Sequence, residues 1–142
     1  MFIIEKPKQI HLMSWRDIIN ESASSYSFQY DEVNFDLFWR CVFQDEYFAF
    51  AAKNEDKFMG IVVAKINDTY YEKNIVLDVL YVLHDFRKIG VARALMNKIE
   101  EIAKDQKLDL IIKDLEKSNL LAQKLFKSYT VVNRTSYLKK HN

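Results

Sequence analysis

The chain has 142 residues, of which 49% are hydrophobic and 14% aromatic, and a formal net charge of +1. This composition excludes a disordered chain, and the near-zero charge gives no general attraction to nucleic acid or to acidic membranes. A single cysteine, Cys41, excludes an intramolecular disulfide and fits a reducing compartment, where we expect a buried thiol. No apolar run is long enough to span a membrane, and the start MFIIEKPKQ does not have the pattern of a signal peptide. We therefore expect one cytoplasmic domain over residues 1–142.

The first half of the chain predicts a strand, two helices and a hairpin. MFIIEK is a short strand, and the helical pattern after it has apolar residues at Ile10, Met13, Ile18 and Ile19. A second helix is predicted over DEVNFDLFWRCVF, with apolar positions at Val33, Phe35, Leu37, Phe38, Val42 and Phe43. The runs EYFAFAAK and FMGIVVAKI then flank the polar turn NEDK, which is typical of a β-hairpin.

The second half predicts a β-α-β unit followed by a helix and a strand. NIVLDVLYVL is a strand buried on both faces apart from Asp78, and GVARALMNKIEEIAK is a helix whose apolar face holds Val91, Leu95, Ile99, Ile102 and Ala103. LDLIIKDL predicts a strand, SNLLAQKLFKSY a helix and TVVNRTSYLKK a closing strand. The order β-α-α-β-β-β-α-β-α-β predicts an α/β (α+β) fold, in which helices flank a mixed, mostly antiparallel sheet. The β-α-β unit runs from about residue 75 to 114.

Gly90, one of only two glycines, stands where the strand of the β-α-β unit gives way to its helix. The first turn of a helix offers free N–H groups and the positive end of the dipole, which hold phosphate oxygens. Gly90 lets an anion approach without a Cβ in the way, and the small Ala92 follows. Arg87, Lys88 and Arg93 add positive charge. The spacing is neither a Walker loop nor a dinucleotide fingerprint, and the short pattern alone also fits an ordinary connector with solvated basic residues.

In this context the pattern R-x-x-G-x-A resembles the pyrophosphate-binding motif of the GCN5-related N-acetyltransferase (GNAT) family, written [RQ]-x-x-G-x-[GA]. LYVLHDFRKIGVARALM is similar to the family's V-x-P-x-x-R-x-x-G-x-G-x-x-L, with His84 in place of proline. Asn119 matches an Asn that many members carry, and Phe126 stands seven residues later at the position of their Tyr; Gly60 resembles the glycine of the third strand. The resemblance covers roughly residues 46 to 139, and Thr130-Val131 stand where Gly-Phe is usual.

The resemblance implies a GNAT-like fold and a single acetyltransferase-like domain over residues 1–142. It implies transfer of an acetyl group from acetyl-CoA directly to a primary amine of a small molecule or peptide. It also implies that a bulge splays the fourth and fifth strands and that the thioester lies between them. The cofactor-binding residues implied are Leu80, Tyr81, Val82, Arg87, Lys88, Ile89, Gly90, Val91, Ala92, Arg93, Asn119 and Phe126.

Three residues are candidates for proton transfer, because the acceptor amine must be neutral to attack. Asp78 interrupts an apolar run two residues before Leu80 and is the first candidate for the base, while Asp114, at the end of the next strand, is the second. The resemblance implies that the family's Tyr at position 126 protonates the departing thiolate. Phe126 has no proton to give, and Tyr129, one helical turn further on, is the candidate substitute acid. Each has a structural alternative: a salt bridge or cap for Asp78, a solvated strand end for Asp114 and helix packing for Tyr129.

Two other functions remain open at this stage. The first is a non-catalytic CoA-binding or protein-interaction module with the same fold, which Phe126 supports. The second is nucleic-acid binding through NRTSYLKKH, although one short basic tail on a near-neutral chain argues against it. No metal site is expected, since the spacing of the histidines does not suit metal ligation; a homodimer is compatible with the family. The N-terminal aromatic residues fit core packing best, or else the acceptor groove: Tyr26, Phe28, Tyr30, Phe35, Phe38 and Trp39.

Overall fold

The computed structural model describes residues 1–25, 32–112, 130–133 and 136–139. Its helices are α1 (Leu12–Ser25), α2 (Glu32–Cys41) and α3 (Val91–Gln106). Its strands are β1 (Ile3–Glu5), β2 (Tyr47–Asn54), β3 (Lys57–Asp68), β4 (Lys73–Val82), β5 (Leu110–Ile112), β6 (Thr130–Asn133) and β7 (Ser136–Lys139). Short 3₁₀ turns cover Gln9–His11 and His84–Phe86. The helix predicted over SNLLAQKLFKSY lies outside the described residues.

The described strands form one seven-stranded sheet in the order β1-β2-β3-β4-β5-β7-β6. All neighbouring strands are antiparallel except β4 and β5, whose parallel pairing confirms the predicted β-α-β unit. The prediction of one closing strand is wrong, because TVVNRTSYLKK contributes both β6 and β7. Asn133 pairs with Ser136, so the chain reverses direction in the polar middle of this run.

Apolar clusters cover both faces of the sheet. The α3 face holds Val91, Leu95, Met96, Ile99 and Ala103 of the helix, which confirms its predicted apolar side. The opposite face is covered by α1 and α2, through Trp15, Ile18, Ile19, Phe35, Phe38 and Trp39, together with Val42 just after α2. The three predicted aromatic residues among these are buried and pack in the core, whereas Tyr26, Phe28 and Tyr30 lie outside the described residues.

Four apolar residues of the predicted helical patterns lie at the surface. Ile10 is 85% exposed and Met13 60%, because α1 begins only at Leu12 and buries the face that contains Trp15. Leu37 is 54% exposed and Phe43 39%. The buried positions 35, 38 and 39 of α2 follow helical spacing; Leu37 lies off that face, and Phe43 lies beyond the end of the helix at Cys41. None of the helices in the described ranges is long and apolar enough to cross a bilayer.

A β-bulge lies in β4 at Asp78. Val63 of β3 pairs with Val79 and Ala64 pairs with Leu77, so Asp78 has no opposite residue in the β3–β4 ladder. The extra residue reverses the alternation of side chains. Leu77 and Leu80 therefore both pack on the α3 face, while Val79 packs with the α1 and α2 cluster. The prediction that this strand is buried on both faces apart from Asp78 is wrong at Val76, Leu77, Val79 and Leu80, which are half-buried; Asp78, the predicted exception, is exposed.

Candidate active site

The connection from β4 to α3 has an unusual backbone. Gly90 is the N-cap residue of α3, with φ of 92° and ψ of 7°, and Lys88 has a φ of 67°. A left-handed conformation is costly for residues with a Cβ, so position 90 favours glycine. Turns of this kind direct successive backbone N–H groups into a concavity that suits anions. The connection therefore has the local geometry of an anion site, as the sequence predicts.

The space around Gly90 is open. A Cβ built on this residue would have no other atom within 4 Å. The first-turn N–H groups of α3 have no partner within the helix, and the N-cap residue provides no side-chain hydrogen bond to them. These N–H groups can donate hydrogen bonds to a phosphate group, and the positive end of the helix dipole attracts its negative charge. The backbone and the available space thus fit the pyrophosphate of a CoA-type ligand.

Gly60 is glycine for a different reason. A Cβ at this position would lie 2.8 Å from the carbonyl oxygen of Tyr81 on the neighbouring strand. Its lack of a side chain lets β3 and β4 approach each other at the end of β4 that leads to the anion site. The two glycines of the chain thus lie at two adjoining parts of the site.

Three basic residues surround the connection, and one of them also contacts the strand. Arg87, Lys88 and Arg93 are exposed. The Nε of Arg87 donates a hydrogen bond of 3.0 Å to the carbonyl oxygen of Val82, and its Cζ lies 5.3 Å from the centre of the Tyr81 ring. The Arg87 side chain therefore fixes the end of β4 in addition to supplying charge. Ile89 is exposed, Val91 is buried under the first turn of α3, and Ala92 is half-buried.

Among the described residues, the edge of β4 beyond Val76 has no strand partner on the β5 side. In the described residues, β5 pairs with β4 only at Ile75 and Val76, although β4 continues to Val82. Leu83 N–H donates to the Met59 carbonyl, so Tyr81 exchanges hydrogen bonds with β3. The backbone groups of Leu80 and Val82 therefore point away from β3, toward the β5 side of the sheet. Of the three predicted backbone positions, these two turn their N–H and C=O groups away from β3, whereas those of Tyr81 are paired with it.

The bulge places the Asp78 carboxylate near a lysine and a tyrosine. Lys65 of β3 pairs with Tyr47 of β2 on one side and with Val76 of β4 on the other. Desolvation by the surrounding protein raises the pKa of Asp78 even though its side chain reaches solvent, and the positive charge of Lys65 partly opposes this rise. A carboxylate with a raised pKa accepts a proton more readily than an ordinary one.

Tyr47 stays protonated at any physiological pH. Its pKa is raised to about 12 by desolvation, by a hydrogen bond to Cys41, and by the charges of Cys41, Asp78 and Glu46. Lys65 Nζ lies 5.5 Å from the centre of the Tyr47 ring, in cation–π contact. Cys41 is half-buried, where the sequence predicted a buried thiol. Sequence reasoning missed Tyr47 and Lys65, because only the strand register brings them toward Asp78.

Another contact connects the opposite helix layer to the end of β4. The hydroxyl of Tyr81 donates a hydrogen bond of 3.0 Å to Oε2 of Glu21 on α1. Since Arg87 lies over the same ring, α1, β4 and the connection to α3 meet at Tyr81. Four predicted site residues, Asp114, Asn119, Phe126 and Tyr129, lie outside the described residues.

Comparison with solved structures shows the same fold in acetyltransferases. NAA60 of Arabidopsis thaliana, in complex with a bisubstrate analogue, has a TM-score of 0.81 at 16% identity, covering 99% of this chain and 98% of that one. An acetyltransferase of the GNAT family from Staphylococcus aureus has a TM-score of 0.81 at 12% identity, with 100% of both chains covered. PaiA N-acetyltransferase of Thermoplasma acidophilum, in complex with coenzyme A, has a TM-score of 0.72 at 14% identity and 99% coverage of both chains.

Sequence comparison gives the family directly. No protein of curated function matches the chain significantly. The family model described as "Acetyltransferase (GNAT) family" matches residues 15–129, which is most of the chain and includes β4, the Gly90 junction and α3. The chain belongs to the GNAT acetyltransferase family.

Proposed function

We propose that this protein is an acetyl-CoA-dependent N-acetyltransferase that moves an acetyl group directly to a primary amine of a small molecule or peptide. The observation that carries the proposal is the open backbone at Gly90, at the start of α3 and at the end of β4 that follows Leu80 and Val82. Family membership supports acetyl transfer to amines in general. We further propose that residues 1–142 act as one domain in the cytoplasm.

Acetyl-CoA supplies the activated acetyl thioester. Residues 88 to 93 would hold its pyrophosphate through first-turn N–H groups and basic side chains, with Arg87 keeping the end of β4 in place. The backbone groups of Leu80 and Val82 would bind the arm that carries the thioester. Asn119 and Phe126 are assigned to the same ligand by the family resemblance.

Asp78 is the residue we assign to the acceptor amine. An amine of the lysine type has a pKa near 10.4, so near neutral pH it must lose a proton before it can attack. Asp78 lies at the bulge, on the strand that provides Leu80 and Val82, and desolvation has raised the pKa of its carboxyl. Its carboxylate would take the proton directly or through a water molecule. Asp114 is the second candidate for this role.

The leaving thiolate needs little help near neutral pH, because the reference pKa of a thiol is about 8.5. Since Phe126 cannot donate a proton, we assign Tyr129 as the substitute acid, at a position one helical turn away in the predicted helix. A positioned acid typically contributes about 10²- to 10⁴-fold, so a poorly placed one gives slow turnover.

The test is a panel of amines, polyamines, aminoglycosides and peptides, assayed for free CoA release. The expected result is slow CoA release that depends on an acceptor and disappears in Gly90→Glu. Binding of acetyl-CoA without release in the presence of any acceptor would favour the non-catalytic CoA-binding module instead. A thermal shift with acetyl-CoA, measured on the same samples, separates loss of binding from loss of chemistry.

A further inference from the structure

A row of side chains crosses three strands next to the bulge. Tyr47, Lys65 and Val76 are direct partners on β2, β3 and β4, so their side chains lie on the same face of the sheet. Asp78 lies two residues beyond Val76 on the same strand. Diagonal neighbours of this kind are about 7–8 Å apart, which a long side chain can span. Lys65 can therefore reach the carboxylate that has no opposite residue of its own.

Lys65 is held in this row. Its Nζ lies 5.5 Å from the centre of the Tyr47 ring, a cation–π contact. Cys41, at the end of α2, is the hydrogen-bonding neighbour that contributes to the raised pKa of the Tyr47 hydroxyl. An exposed lysine would otherwise sample many rotamers, so the ring reduces the entropy lost when its ammonium pairs with a carboxylate.

Lys65 supplies the positive charge in the surroundings of Asp78. Among the described residues, the groups that face this region are Lys65 from β3, Tyr47 from β2, Glu46 just before β2 and Cys41 from α2. Of these four, only Lys65 carries a positive charge. It opposes the desolvation that favours the protonated carboxyl, and so it extends the pH range in which Asp78 is ionised.

We propose that Lys65, in cation–π contact with the ring of Tyr47, is a positioning residue for Asp78. Its charge keeps the Asp78 carboxylate at the bulge ionised, so that this carboxylate can take a proton from the acceptor amine. The inference rests on the proposed function, because in that function the Asp78 carboxylate accepts a proton from the acceptor amine. In the step concerned, an N–H bond of the acceptor ammonium breaks, its proton goes to a carboxylate oxygen, and the electron pair stays on nitrogen. Lys65 itself touches no reacting atom.

The variants are Lys65→Met, which removes the charge and keeps the length, and Lys65→Arg, which keeps the charge. Lys73→Met, at the start of β4, is a matched control at an exposed lysine away from the bulge. For each variant, kcat/KM for the acceptor is measured against pH, and the Asp78 carboxyl is titrated by ¹³C NMR. In Lys65→Met the acid limb of the profile should move to higher pH, with kcat/KM on that limb about twofold to fivefold lower, the effect of an exposed ion pair.

The KM for acetyl-CoA should stay unchanged, Lys65→Arg should restore the profile, and Lys73→Met should match the wild type. An active wild type whose acid limb and Asp78 titration are both unaffected by Lys65→Met would overturn the inference and leave the proposed function standing. A wild type that releases no CoA, while Lys65→Met still raises the pKa of Asp78 in the NMR titration, would overturn the proposed function. The electrostatic influence of Lys65 on the Asp78 carboxyl would then stand without a catalytic role.

Discussion

Substitution of Gly90 separates backbone strain from ligand binding. At φ of 92° an alanine in the left-handed conformation lowers the free energy of unfolding by about 1–2 kcal/mol. It meets no steric clash, because no atom lies within 4 Å of the added Cβ. For a chain of this size, Gly90→Ala should therefore lower the Tm of the free protein by roughly 3–8 °C. Gly90→Asn should cost less, because asparagine adopts this conformation more readily than other residues with a Cβ.

Ligand binding gives the second half of the prediction. Acetyl-CoA at a hundredfold excess over its Kd should stabilise the wild type by about 2.7 kcal/mol. Gly90→Glu carries a backbone cost similar to that of alanine and also places a negative charge in the open space, so this stabilisation should disappear. Lys107→Glu is the matched control, since Lys107 is the left-handed C-cap at the other end of α3, with φ of 56°. It should keep the full ligand-dependent rise.

The assay is thermal unfolding of each variant with and without acetyl-CoA. The reasoning would be refuted by a Gly90→Glu variant that is stabilised by acetyl-CoA as strongly as the wild type. An unchanged Tm of free Gly90→Ala would refute the strain argument alone.

Four more predictions concern the candidate active site. Arg87→Ala should raise the KM for acetyl-CoA more than it lowers kcat, and more than Lys88→Ala does, because only Arg87 also binds the Val82 carbonyl; an effect confined to kcat would count against this. Because the folded-state pKa of Asp78 is raised, the ionised carboxylate destabilises the fold at any pH above the unfolded-state pKa of this group. Asp78→Asn should therefore raise Tm at pH 7 but not at about pH 3. The same variant should keep acetyl-CoA binding and lose rate most at low pH; if Asp114→Asn shows the altered pH profile instead, Asp114 is the base. Tyr129→Phe should lower kcat at least about tenfold if Tyr129 is the acid, and a kcat close to that of the wild type would remove it from the mechanism.

The anion site could be predicted from sequence because its determinants are local. A rare glycine, the basic residues next to it and the change from strand pattern to helix pattern all lie within one short stretch around Gly90. The amphipathic face of α3 was predictable for the same reason, since Val91, Leu95 and Ile99 follow helical spacing.

The surroundings of Asp78 could not be predicted, because they depend on strand register. One extra residue in β4 reverses the faces of Leu80 and Tyr81, and nothing in NIVLDVLYVL marks where that residue falls. The contact between Lys65 and Tyr47 likewise depends on the pairing of β2 with β3. The division of the closing run into β6 and β7 was missed because polar residues in a strand pattern also fit an exposed strand.

The most direct test of the account is a stoichiometric product analysis with the best acceptor of the amine panel. The wild type is incubated with acetyl-CoA and that amine, and both free CoA and the acetylated amine are quantified by mass spectrometry. Direct transfer predicts one acetylated amine for each CoA released, with no product from Gly90→Glu. CoA released without an acetylated amine, or equal product from Gly90→Glu, would contradict it.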